Sequence, residues 1–182
     1  MIMSLLFAIV AAGAMAATPF TLSSSDFHAG GTIGLTNVFN GMDCTGKNVS
    51  VSLHWTGAPP GTKSFALTTW DPDAPVKGGW WHWVLFDIPA STNSLAAGAG
   101  STNRAAAPAG SVEGTTSFGK PGYGGPCPPV GSGAHHYIFT LYALDEARVA
   151  GATGMTTGPA LTKLISKHVL ARTTLTGRFG RP

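Results

Sequence analysis

Apolar and polar residues alternate with a period of two through much of this chain, the signature of strands with one buried face. Val49, Val51 and Leu53 interleave with Ser50, Ser52 and His54 ahead of an Ala-Pro-Pro-Gly turn at 58–61, which predicts a half-buried strand. Ser64 to Trp70 forms the next one. Trp83 to Ile88 is apolar at every position except Asp87, the pattern of a central strand covered on both faces, and Pro89 ends it. His135 to Leu144 predicts another strand, with His135, Tyr137, Phe139 and Leu141 on one face and His136, Ile138, Thr140 and Tyr142 on the other. The period then changes: Leu161, Leu164, Ile165 and His168 follow helical spacing, with Pro159 near the first turn, where a missing N–H does no harm. Thr173 to Phe179 returns to a strand, whereas 91–110, rich in Ala, Gly, Ser, Thr and Asn, has no period and reads as a long surface connection. Many strands with few, short helices near the end define a mainly β protein.

Ile2 to Val10 is apolar and leads to Ala14, Met15 and Ala16, the small-x-small pattern of a signal peptidase site. Residues 1–16 therefore read as a signal peptide, although no Lys or Arg precedes the apolar run, and 17–182 as a single exported domain, periplasmic or secreted. No stretch reaches the roughly 20 apolar residues of a spanning helix, so no transmembrane anchor is expected. Charged residues make up only 10% of the chain, and the 11 Lys and Arg are mostly scattered, which argues against a nucleic-acid partner. The denser group Lys163, Lys167, Arg172, Arg178 and Arg181 reads as a solvated helix face and tail. In an oxidising compartment the two cysteines, Cys44 and Cys127, are expected to pair, stabilising the fold by about 2–4 kcal/mol; the alternative is two buried thiols.

Two segments carry candidate chemistry. Pro126, Pro128 and Pro129, within Gly-Gly-Pro-Cys-Pro-Pro at 124–129, fix φ and remove N–H donors, so this segment reads as a rigid wall that delivers His135, His136 and Tyr137. Asp71, Asp73 and Pro75 precede Trp80, Trp81, His82 and Trp83, placing carboxylates and an imidazole in a similarly aromatic setting. Together they suggest one small-ligand site, or an Asp and His that merely satisfy each other in an apolar region. Asp71, Asp73, His82 and His135 are also a conceivable metal-hydrolase set. No HExxH or GxSxG pattern accompanies them, so catalysis ranks below binding.

These segments, with Val-Phe-Asn-Gly at 38–41, Phe-Gly-Lys-Pro-Gly-Tyr at 118–123, Phe-Thr-Leu-Tyr-Ala-Leu-Asp at 139–145 and Thr-Leu-Thr-Gly at 174–177, resemble the phosphatidylethanolamine-binding protein family, in its bacterial Raf-kinase-inhibitor-like branch. The resemblance implies a β-sandwich around a large central antiparallel sheet, with a pocket for phosphate or phospholipid headgroups. By motif position that pocket comprises Asp71, Asp73, Pro75, Trp81, His82, Cys127, Pro128, Pro129, His135 and Tyr137, while His136 is left out. It further implies a non-enzymatic binding protein with no cofactor, a homodimer in some members, and in others a regulatory role such as serine protease inhibition. The expected anion donors are protonated His82 and His135, Tyr137, and backbone N–H groups around Gly124, Gly125 and Gly131, with Trp81 holding the organic part of a ligand. Ser117 departs from the family pattern, which has an acidic or amide residue before Phe-Gly. The short stretch after the last strand implies a more open mouth than in animal members.

Overall fold

A computed structural model describes residues 18–101 and 106–182; the expected signal peptide lies outside them. In chain order the strands are β1 (Thr21–Ser23), β2 (Asn40–Gly41), β3 (Cys44–Thr45), β4 (Leu53–Thr56), β5 (Ser64–Asp71), β6 (Trp80–Pro89), β7 (Ser94–Leu95), β8 (Val112–Glu113), β9 (Gly133–Leu144) and β10 (Val169–Arg181). Helix α1 (Gly158–Leu164) runs into a 3-10 turn at Ile165–Lys167 ahead of β10. The long strands form an antiparallel sheet of order β10-β9-β5-β6-β8, a second sheet has the order β1-β4-β7, and β2 and β3 make a separate hairpin.

The two larger sheets face each other across the main core. Leu22, Leu53, Trp55 and Leu95 of the small sheet pack with Phe65, Leu67, Trp83, Leu85, Tyr137, Phe139, Leu141 and Leu175 of the large one. A second cluster lies on the other face of the large sheet, where Leu161 of α1, Ile165 and Val149 cover Ala66, Val84, Phe86 and Leu144. This double cover is why the middle of β6 is apolar on both faces. Strand β9 keeps the expected alternation, with His135, Tyr137, Phe139 and Leu141 buried and the residues between them half-buried.

Some expectations need correction. The stretch 49–52 is not a strand, because its backbone is taken by loops: Asn37 Nδ2 donates to Val49 O and Gly98 N to Ser50 O. The connection 91–110 is not all surface. Leu95, Ala99 and Gly100 are buried, β7 pairs with β4, and Gly100 N donates to Ser50 Oγ at 2.9 Å. On α1 the apolar face is narrower than expected, since Leu161 and Ile165 are buried but Leu164 is exposed.

Two register shifts between β5 and β6 determine which way the β6 side chains point. Phe65 pairs with Ile88 but Leu67 with Leu85, so extra residues of β6 bulge out there. Among them Asp87, the lone polar residue of the run, adopts a φ of 55° and accepts the Val149 N–H at 2.8 Å. Further along, Thr69 pairs with Trp83 and Trp70 with Trp81, which leaves His82 as the extra residue of a second bulge. A bulge resets the parity of a strand. Trp83 therefore faces the main core, while Trp81 lies on the opposite face against Trp70, ring centroids 5.9 Å apart.

The proline-rich wall is held by close backbone packing. A Cβ on Gly125 would come within 2.1 Å of Asn37 O and 2.6 Å of Phe39 N, atoms that cannot swing away. Gly125→Ala is therefore expected to cost about 1–3 kcal/mol in urea unfolding, whereas Gly34→Ala, with nothing near its Cβ, stays within about 0.5 kcal/mol of wild type. Equal stability of the two variants would show that the wall is not packed in this way.

Candidate functional site

At one end of the large sheet the strands open into a cavity of about 180 Å³, smaller than the pockets that hold drug-sized ligands. Its floor is polar. Asp71 ends β5, His82 occupies the β6 bulge, and His135 and Tyr137 project from the inner face of β9; they are 3%, 4%, 3% and 1% exposed. The mouth is apolar, with Ala74, Pro75 and Val76 on one side and Pro128 and Pro129 on the other. Met42, Trp80, Phe118 and Cys127 complete it.

The Asp71 carboxylate is fully occupied. Oδ1 accepts the backbone N–H groups of Asp73 at 2.8 Å and Ala74 at 3.1 Å, the turn that Pro72 and Pro75 frame, and Oδ2 meets His135 Nδ1 at 2.8 Å. The other ring nitrogen of His135 lies 3.0 Å from Ser132 Oγ, whose own proton goes to Pro129 O at 2.8 Å. Ser132 thus links His135 to the proline-rich wall. His135 and Asp71 are engaged with each other, and both nitrogens of the ring are held by side chains.

His82 differs from the expected protonated donor. Its Nδ1 donates to Gly124 O at 2.6 Å, and Gly124 N returns a bond to His82 O at 2.9 Å. Burial dominates the ring and lowers its pKa to about 4, although the Gly124 carbonyl and the Asp71 charge pull the other way. Tyr137 is pushed in the opposite direction, upward, first by burial and then by the Asp71 charge, so its phenol keeps its proton. Its Oη is buried with no hydrogen-bond partner among the described residues.

Of the ten residues carried over by motif, eight line the cavity and two do not. Asp73 is drawn out to the rim, where its Oδ2 accepts both the backbone N–H and Nδ1 of His136 at 2.7 Å. Burial raises the Asp73 pKa, but the His136 bonds and the His136 and His135 charges outweigh it and hold the carboxyl below its usual value. His136, on the outer strand face, is thus the partner of Asp73 and not a pocket residue. Trp81 is the second correction: the bulge turns it outward beneath Gly158, and Trp80, which pairs with Asp71, takes its place. The backbone donors are also spoken for. Gly124 N bonds His82 O, Gly125 N bonds Asn48 Oδ1 at 2.8 Å, and Gly131 N bonds Arg181 O at 3.3 Å. Among the described residues no three His, Cys, Asp or Glu side chains gather as a metal would need, so Asp71, Asp73, His82 and His135 do not form that set.

The wall itself is braced from behind. Cys44 and Cys127 form a disulfide with an S–S distance of 2.06 Å, linking the β2–β3 hairpin to the wall. Arg181, expected in a solvated tail, instead donates Nε to Pro128 O at 2.6 Å and Nη1 to Asp43 O at 3.1 Å. Asn48, at a φ of 52°, spans Tyr123 O and Gly125 N. Ser117, the departure from the family pattern, accepts the Trp81 N–H at 2.9 Å. Local sequence carries no signal for Arg181 or Asn48, whose partners are distant along the chain. Trp80 was visible as one of a Trp-Trp pair whose facing only the bulge decides.

Fold and cavity together define a β-sandwich protein with a small polar-floored pocket at one sheet end. The chain belongs to the phosphatidylethanolamine-binding protein family, whose sequence profile matches residues 23–180. It is 44% identical to the UPF0098 protein YbhB of Escherichia coli over 161 residues, 87% of this chain and 98% of YbhB. It is 39% identical over 155 residues to LppC of Mycobacterium tuberculosis, named as a lipoprotein, covering 84% of this chain and 70% of LppC. The crystal structure of E. coli YbcL, described as a member of the mammalian PEBP family, superposes with a TM-score of 0.87 at 37% identity, covering 90% of this chain and 99% of YbcL.

A neutral buried His82 has a measurable consequence. Its pKa is about 4 when folded against an ordinary 6.5, so the unfolded chain takes up the proton first as pH falls. Stability from this group is fully present above pH 6.5 and is lost as pH falls toward 4, on the order of 3 kcal/mol in all. Urea unfolding of His82→Asn, which keeps a donor for Gly124 but cannot titrate, should show a correspondingly shallower acid slope. Parallel slopes for wild type and variant would mean that His82 is not held neutral.

Proposed function

We propose that this chain is an exported, non-enzymatic binding protein that holds a small anion, phosphate or a phospholipid-type headgroup, in the cavity floored by Asp71, His82, His135 and Tyr137. The observation that carries the reading is the Tyr137 hydroxyl, a buried donor at the floor of the cavity with no partner among the described residues. Such a group costs about 1–3 kcal/mol unless something accepts from it, and a bound oxyanion is a natural acceptor. The Asp71 carboxylate is already engaged by two backbone N–H groups and by His135. The apolar mouth accommodates the organic part of a headgroup, with Trp80 and Phe118 in the place expected of Trp81. Family membership and the chemistry of the floor support this reading independently. The disulfide, the lipoprotein name of LppC and the apolar residues Ile2 to Val10 support export. No helix among the described residues is long and apolar enough to cross a membrane.

One observation favours a protein partner as the second reading. Met42 and Val76 at the mouth are 62% and 47% exposed, and Val130, next to Pro129, is 68% exposed. A protease inhibitor would use such a rim.

Calorimetric titration with inorganic phosphate and phosphoethanolamine tests the first reading. Tyr137→Phe should weaken binding by roughly 10- to 100-fold, the worth of a hydrogen bond to a charged group, with little change in fold stability. Asp71→Asn, which uncouples His135, should weaken it too. If neither ligand gives heat or a thermal shift with wild type, the anion reading fails, and inhibition of a serine protease panel becomes the experiment that decides for the rim.

A further inference from the structure

The floor of the cavity offers one donor and one acceptor. Tyr137 Oη supplies the donor. For His82, the 2.6 Å bond from Nδ1 to the Gly124 carbonyl requires the proton on Nδ1, because a carbonyl only accepts. The ring lines the cavity, and Nε2 is its remaining nitrogen, bearing a lone pair with no hydrogen bond to a described residue. The neighbouring rings hold it in place: His82 stands edge-on to Tyr137 at 5.0 Å and to Phe118 at 5.5 Å between centroids.

The charged groups around His82 do not alter this. Asp71 and His135 are 2.8 Å apart and engaged with each other, and both nitrogens of His135 are committed, to Asp71 and to Ser132. Among the described residues no Lys or Arg lines the cavity, and Arg181 is turned to the carbonyls of Pro128 and Asp43. An anion made only of acceptor oxygens would satisfy Tyr137 and face the His82 lone pair unpaired, at the cost of a buried electrostatic mismatch.

We propose that His82 is a specificity residue that selects ligands carrying a hydrogen-bond donor of their own beside the anionic oxygens, its Nε2 accepting that proton while Tyr137 donates to the anion. The inference rests on the anion reading above and narrows it. Two ligand sources supply the required chemistry: the P–OH of a hydrogen phosphate, or the N–H of a primary ammonium next to a phosphate. Fully ionised sulfate and quaternary-amine headgroups supply neither.

Calorimetry of the full mature chain at about pH 8 separates these cases. There inorganic phosphate is mostly the hydrogen-phosphate dianion, matching sulfate in charge and shape but for one proton. Phosphate should bind roughly tenfold or more tighter than sulfate if the P–OH is the donor. Phosphoethanolamine should exceed phosphocholine by a similar factor if the ammonium is. Sulfate and phosphocholine binding as well as their donor-bearing counterparts would overturn the selection while leaving anion binding intact. Silence from all four would overturn the anion reading and the selection with it. A readout independent of affinity is the ¹⁵N spectrum of His82, which should show a neutral ring protonated at Nδ1 both free and with phosphate bound. An imidazolium in the bound state would refute the acceptor role even if phosphate bound well.

Discussion

The reciprocal pair of hydrogen bonds between His82 and Gly124 is the constraint on which the site depends. One bond runs from the imidazole to the Gly124 carbonyl and the other from the Gly124 N–H to the His82 carbonyl. Together they fasten the bulge of β6 to the start of the proline-rich wall, tying the sheet to the loop that borders the cavity. The same bond sets the tautomer of the ring. Because the ring is buried, the neutral form prevails, and the cavity gains an acceptor where a chain pattern of Asp and His suggests a cation.

Around this lock the polar side chains are engaged with one another. Asp71 is saturated by two backbone donors and by His135, which in turn is steadied by Ser132 of the loop entering β9. The wall is rigid because prolines remove its conformational freedom and because it is tied at several points: the disulfide to Cys44, Arg181 to Pro128 and Asp43, and Asn48 to Gly125. Such a frame leaves few polar groups free at the floor. It is this scarcity, rather than an abundance of donors, that gives the cavity its chemical character.

The contrast between Asp71 and Asp73 shows how finely position matters. Two residues apart in an extended or turning chain, they take opposite roles. Asp71 points into the cavity and holds His135 of the inner β9 face, whereas Asp73 reaches over the rim to His136 of the outer face. Two adjacent histidines are thus each claimed by a different carboxylate, and only one of the two pairs borders the cavity.

The alternation of β9 and the apolar run of β6 were legible in the chain, because burial on one or both faces of a strand must be written at every residue or every second residue. So were the wall, since proline restricts the backbone wherever it stands, and the pairing of the cysteines, which rests on chemistry and compartment. Eight of the ten residues carried over by motif line the cavity for the same reason: short motifs keep their own geometry. What the chain could not reveal were features set by contacts far apart in sequence. A register shift, invisible to periodicity, decided that Trp80 and not Trp81 faces the cavity. Backbone partners already engaged elsewhere removed Gly124, Gly125 and Gly131 as donors, and Arg181 bonds back to brace the wall. The protonation of His82 was likewise decided by tertiary structure alone, because burial and a carbonyl 42 residues away, not the identity of a histidine, determine where its proton sits.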